Sequence, residues 1–157
     1  MRAKPDDGLR PLFRKHLPHF DWQSVETGGT GRGVPDSNYC FGGVEGWVEF
    51  KSTDGWTVTL RPEQIGWIAR RTRCGGRVWI AVRRRTEGGP RSPATDDLWL
   101  IPGALAVTAR QGGLRAVHGR PGVRVWSSDA PNGAPLGPAT WQWAAVADTL
   151  LSSFSRA

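Results

Sequence analysis

Two carboxylates and one amine set the terms of this sequence. Asp36 closes the run Gly33-Val34-Pro35-Asp36, and thirteen positions later the run Gly46-Trp47-Val48-Glu49-Phe50-Lys51 supplies Glu49 and Lys51. In a β-strand, side chains two apart share a face, so Glu49 and Lys51 project together while Val48 and Phe50 turn the other way into a core. If Asp36 faces them from an adjacent strand, the three groups suit hydrolysis of a phosphodiester. Magnesium or manganese takes oxygen ligands and needs only one or two carboxylates, completed by water, by substrate phosphate, or here by the Phe50 carbonyl. Lys51 is then placed to hold the attacking water or to offset charge in the transition state. Only three of the 21 basic residues are lysines, so a lysine at this position is not what background usage supplies.

Charge points the same way. The 157 residues carry a formal net charge of +7, which attracts polyanions. Eight of the arginines fall at 61, 70, 71, 73, 77, 83, 84 and 85, against the single acid Glu63 in that span. A basic segment next to paired carboxylates fits a nucleic-acid partner. DNA is the expected partner, with Arg32, Arg70, Arg71 and Arg73 as phosphate contacts. No apolar run is long enough to span a bilayer, so no membrane partner is expected. Met1 to Arg10 has no apolar segment behind it, which leads us to expect a cytoplasmic location.

Other chemistries find little support. The loop Thr27-Gly28-Gly29-Thr30-Gly31-Arg32-Gly33 is glycine-rich, but no Gly-Lys-Ser/Thr follows it, as a phosphate-cradling loop requires. His16, His19 and His118 form no ligand set or triad. Cys40 and Cys74 lack metal-ligand spacing and read as small, partly buried hydrophobes.

The elements that must position these groups follow from periodicity. Leu9, Leu12, Phe13 and Leu17 recur at helical intervals and end at Pro18, with Asp6 or Asp7 as a cap. His19 to Glu26 is a mixed run of strand length, and Val34 to Tyr39 a second strand. Phe41 to Gly46 reads as a hairpin turn, and Trp47 to Ser52 as the third strand. A short β-branched stretch, Trp56 to Leu60, precedes Arg61-Pro62-Glu63-Gln64, where Pro62 suits the first helical position. Ile65, Ile68, Ala69 and Thr72 fall on one side of that helix, which closes at Gly75-Gly76. Arg77 to Arg83 is nearly continuously apolar, as in a central strand parallel to its predecessor. Asp97 to Ile101 is a further strand, and Pro102 to Ala109 a short helix ended by Gln111-Gly112-Gly113. Val123 to Trp126 forms a last short strand. Thr140 caps a final helix with Trp143, Val146, Ala147, Leu150, Leu151 and Phe154 on one face, which either docks on the core or forms a subunit contact. The expected fold is α/β: one domain over residues 1–157, with a central mixed sheet of about four or five strands flanked by helices. Its core spans about residues 9–101, with a C-terminal extension over 102–157.

At this point the pattern resembles a family. Gly33-Val34-Pro35-Asp36, then Glu49-Phe50-Lys51 on an apolar strand, then Gln64 in the first turn of the next helix, resembles the PD-(D/E)XK nuclease superfamily. It looks most like the small phage-type members related to VRR-NUC domains and archaeal Holliday-junction resolvases. The resemblance implies a restriction-endonuclease-like core and a metal-dependent DNA endonuclease, structure-specific or junction-resolving, that uses Mg²⁺ or Mn²⁺. It implies that Asp36 and Glu49 hold the metal, that Lys51 serves the nucleophile, and that Gln64 orients water or Lys51. Many members carry a further acid on the first helix. Asp6 and Asp7 are read as too far out for that role, so Glu26 is the substitute. The Ser or Thr often found before the Gln-bearing helix is Arg61 here. A homodimer would permit paired cuts, and a phage-encoded member would work in the host cytoplasm. The alternative is a catalytically inactive DNA-binding module on the same fold.

Overall fold

A computed structural model of the chain describes residues 6–25, 31–128 and 137–153. Helix α1 (Leu9–His16) leads into β1 (Asp21–Ser24), β2 (Ser37–Phe41) and β3 (Val44–Thr53); α2 (Pro62–Arg73) then crosses to β4 (Val78–Thr86). After β5 (Thr95–Pro102), a 3₁₀ turn (Gly103–Leu105) leads to α3 (Ala106–Val117) and β6 (Arg124–Ser127). A second 3₁₀ turn (Pro138–Thr140) precedes α4 (Trp143–Leu151). The six strands lie in sequence order in one sheet. All neighbours are antiparallel except β3 and β4, whose parallel pairing is spanned by α2. This is the expected α/β sheet with flanking helices, with six strands rather than four or five. The two edge strands are four-residue segments that fall where the short strands at His19 to Glu26 and Val123 to Trp126 are expected.

The pleat of β3 sorts the core into two layers. Val48 and Phe50 turn to the side where Leu9, Phe13 and Leu17 of the N-terminal segment meet Trp141, Val146 and Leu150 of the C-terminal one. Val78, Ile80 and Val82 of β4 turn to the opposite side, against Ile68 of α2 and Ala109, Leu114 and Val117 of α3. Burying so many large aliphatic and aromatic side chains, at about 1.5–3 kcal/mol each, is the main force holding helices to sheet. The final helix docks on the core. Its Leu150 carbonyl accepts a hydrogen bond from the buried Tyr39 hydroxyl at 2.5 Å, and burial pushes the Tyr39 phenol well above its ordinary pKa. Phe154 lies outside the described residues.

Several local expectations need correction. The hairpin turn is only Gly42-Gly43, both with positive φ (58° and 78°), and strand pairing resumes at Val44. Two-residue turns of this hand match the twist of their strands. Gly46 is therefore inside β3, and a side chain there would overlap the Tyr39 phenol ring. Gln111-Gly112-Gly113 does not end α3. Gly113 adopts φ 69°, ψ −164°, and the chain continues helically to Val117. The N–H of Leu114 donates instead to the Trp56 carbonyl at 2.8 Å, tying the stretch after β3 to α3. Thr140 belongs to the 3₁₀ turn, and Gln142 is the residue that precedes α4. Ala69 of α2 is exposed, as are Cys40 and Cys74. The cysteines sit at a strand end and a helix end, where no core reaches them. Among the described residues no helix is long and apolar enough to cross a membrane.

Candidate active site

The site begins at Gly33. Its φ of 87° lies in the left-handed region, and a Cβ there would fall 2.5 Å from the Glu63 carbonyl carbon and 2.9 Å from the Gln64 nitrogen. Only glycine lets the chain turn here against the first turn of α2. Pro35 is buried, and the Asp36 carbonyl accepts from the Val25 N–H at 2.9 Å, which sets the direction of β2 before its ladder starts. The Ser37–Val48 pairing of β2 and β3, carried back one step, puts Asp36 opposite Glu49.

Asp36 and Glu49 are interlocked by two hydrogen bonds from backbone N–H groups of Asp36 and Phe50. The Asp36 N–H donates to Glu49 Oε2 at 3.2 Å, and the Phe50 N–H donates to Asp36 Oδ2 at 3.0 Å. In an antiparallel ladder a residue's N–H and C=O point to the same neighbour, so the Phe50 carbonyl also faces the Asp36 edge. Lys51 Nζ lies 3.3 Å from Glu49 Oε1. Gln64, the third residue of α2, donates from Nε2 to Glu49 Oε1 at 2.5 Å. Gln64 Oε1 accepts from Lys51 Nζ at 3.3 Å and from the Arg61 N–H at 2.9 Å. Gln64 thus bonds back to the residue that begins its helix, as side chains at this position often do, and bridges the acid and the amine with its remaining capacity.

Burial makes this arrangement electrostatically tense. Glu49 is only 3% exposed, and desolvation, followed by the like charge of Asp36, pushes its carboxyl up from 4.5 to about 7, although Lys51 pulls the other way. Asp36 is also raised, chiefly by burial, against the Phe50 N–H and the charges of Lys51 and Arg10. Two buried carboxylates facing one another need added positive charge to ionise together. That need fits a hard divalent cation with oxygen ligands. Among the described residues no three His, Cys, Asp or Glu side chains form a metal-binding group. The donor set here is two carboxylates and a carbonyl.

Glu26, expected as the outer acid, lies outside the described residues. The charge of Asp6 is the smallest of the influences that raise or lower the pKa of Asp36, and it acts upward. Asp6 also accepts from the N–H groups of Gly8 and Arg10, each at 3.2 Å, and so holds the start of α1. Neither Asp6 nor Arg10 was legible as a neighbour of Asp36. An acid at the start of an amphipathic helix signals a cap, and only the docking of α1 on the sheet brings it near the site.

The arginines divide into two groups. Arg32 is exposed on the turn before Asp36, and Arg70, Arg71 and Arg73 are exposed on α2. Those of β4 are engaged by other parts of the fold, Arg83 buried and Arg85 at the surface. Arg83 makes a two-pronged contact with Asp96 at 2.9 and 2.7 Å, Arg84 donates to the Gly55 carbonyl at 2.8 Å, and Arg85 pairs with Asp7 at 2.7 Å. Part of the positive charge of residues 61–85 is therefore structural.

No family model and no curated protein matches the chain.

Proposed function

We propose that this chain is a metal-dependent endonuclease that hydrolyses phosphodiester bonds in DNA. The observation that carries the proposal is the interlocked pair of Asp36 and Glu49 with Lys51 3.3 Å from the inner carboxylate. Asp36, Glu49 and the Phe50 carbonyl would hold Mg²⁺ or Mn²⁺, which when bound supplies a hydroxide at neutral pH and polarises the phosphoryl oxygen. The chain's own residues do the rest. Lys51 offers hydrogen bonds to the attacking water and positive charge to the phosphoryl oxygens. Gln64 holds the Lys51 amine and the Glu49 carboxylate in one orientation, so little reorganisation accompanies reaction. Asp6 and Arg10 tune the charge felt by Asp36 from α1. Arg32, Arg70 and Arg73 draw in and register the phosphate backbone. The preferred DNA is structured or branched, and a homodimer would set two sites against two strands.

The test incubates the protein with supercoiled, linear, single-stranded and branched DNA in Mg²⁺, in Mn²⁺ and in EDTA, alongside a mass measurement in solution. Cleavage is expected with either metal and not in EDTA. Asp36→Asn and Lys51→Ala should each slow it at least about 100-fold. Equal cutting by either variant refutes the assignment. DNA binding without any cutting would favour an inactive binding module on the same fold.

A further inference from the structure

Beside the carboxylates, on the same face of β3, lies an aromatic and basic surface that the chemistry above does not use. Trp47 is two residues before Glu49, about 7 Å along the strand. Trp67 of α2 meets it edge to face, with ring centroids 5.2 Å apart and planes at 66°. Arg71, one helical turn beyond Trp67, lays its guanidinium over both rings, 4.8 Å from the Trp67 centroid and 5.5 Å from that of Trp47. Trp79 and Trp141 are each at most 2% exposed, whereas Trp47 and Trp67 are only half-buried and Arg71 is exposed.

Two features hold Arg71 against the indoles. Cation–π attraction favours the layered arrangement. Gly76 leaves room for its stem, since a Cβ there would lie 2.5 Å from Arg71 Cγ and 2.7 Å from Cδ. The floor next to this surface is open: Asp21 and Gln23 of β1 and Cys40 of β2 point to the same face and are exposed. The result is a half-open cluster of two edge-to-face indoles under an exposed guanidinium, two residues along β3 from Glu49.

We infer that Trp47, Trp67 and Arg71 form a stacking platform for one unpaired nucleobase of the strand whose phosphate is cut. This deepens, and rests on, the endonuclease reading. Aromatic rings and guanidinium planes both take bases face to face. A base inside a duplex already has neighbours on both faces, so the platform selects DNA with a single-stranded nucleotide next to the cut. The exposed Arg70 and Arg73 of α2 supply the charge complementarity for the strand that carries it.

The test measures DNA binding in EDTA by the Asp36→Asn protein, so that cleavage plays no part. The probes are a mixed-sequence single strand and the fully paired duplex of equal length. Single-strand binding should be the tighter. Trp67→Leu and Arg71→Lys should each weaken it about tenfold, the loss of one stacked base, and leave duplex binding unchanged. Arg71→Lys keeps the charge, so its loss belongs to the planar stack. Equal losses on both probes, or no loss on either, overturn the proposal. If Trp67→Leu fails to fold, Arg71→Lys decides, together with a scan of one abasic position along the strand. A single sensitive position is expected, and a flat scan overturns the platform. A protein that binds in this way but never cuts with Mg²⁺ or Mn²⁺ would remove the endonuclease reading and leave the platform standing.

Discussion

Gln64 donates its side-chain amide to Glu49 at 2.5 Å, and the carbonyl of that same amide accepts from Lys51 at 3.3 Å. One neutral side chain thus ties the acid of the site to its amine. Gln64→Leu removes this bridge and leaves a buried carboxylate oxygen short of a donor, which should cost about 1–3 kcal/mol of stability. The cleavage rate should fall with KM little changed, because Lys51 loses its alignment while the DNA-binding arginines remain. Chemical denaturation and steady-state kinetics check both, and a rate equal to wild type would reduce Gln64 to a helix-capping residue.

The raised Glu49 pKa gives a stability profile of definite sign. In the unfolded chain this group titrates near its ordinary 4.5, and in the folded protein near about 7. Between those values the folded state binds more protons, so its contribution to stability is full below 4.5 and is lost as pH rises through about 7. Asp36 is shifted in the same direction. In EDTA, the melting temperature of wild type should fall relative to Glu49→Gln as pH rises from about 4.5 to about 7. Mg²⁺ should restore more of it at alkaline than at acid pH. A wild-type curve that runs parallel to that of Glu49→Gln across this window would contradict the burial argument.

Gly33 tests how the site is aimed. Gly33→Ala forces a side chain into the left-handed region, at about 1–2 kcal/mol, and into the Glu63 backbone as well. Cleavage should suffer more than stability, because Asp36 follows three residues later. Gly42 also has positive φ, but nothing lies within 4 Å of a Cβ built there. Gly42→Asn, which suits such a turn, should melt and cut like wild type.

Salt dependence separates the two sets of arginines. Arg32→Ala, Arg70→Ala and Arg73→Ala should each lower the log-log salt slope of duplex DNA binding by about 0.9, with the melting temperature unchanged. Asp96→Ala should leave that slope alone. It strands the buried Arg83 guanidinium and should cost about 3 kcal/mol or more. Calorimetry and anisotropy titrations across a salt series read both effects.

Much of the fold was legible where the cause is local. The alternation of Trp47 to Lys51, the apolar run that became β4, and Pro62 at the first turn of α2 each carry their own physical reason. Asp36, Glu49 and Lys51, named from spacing, and Gln64, named from the family resemblance, come together in the structure. What escaped depends on contacts distant in sequence. Gly46 looks like a turn residue, yet it is small because Tyr39 lies across it. Gly112-Gly113 looks like a helix stop, yet the chain recovers by bonding to Trp56. Asp6 and Arg10 reach Asp36 only once α1 has docked, and the β4 arginines find acids that no charge count could pair with them.

The hydrogen bond from Tyr39 to Leu150 joins residues 111 positions apart, while Gly33, Asp36, Glu49, Lys51 and Gln64 occupy one continuous stretch of chain. The reactive groups can therefore come together early in folding, as a hairpin and its crossover helix. The apolar underside of that same hairpin is only partly covered by α1, and its cover is completed when α4 arrives. Catalytic assembly and protection from aggregation are thus entrusted to segments made at different times, and a lesion in α4 should first appear as lost solubility, with the chemistry of the surviving folded molecules unaltered.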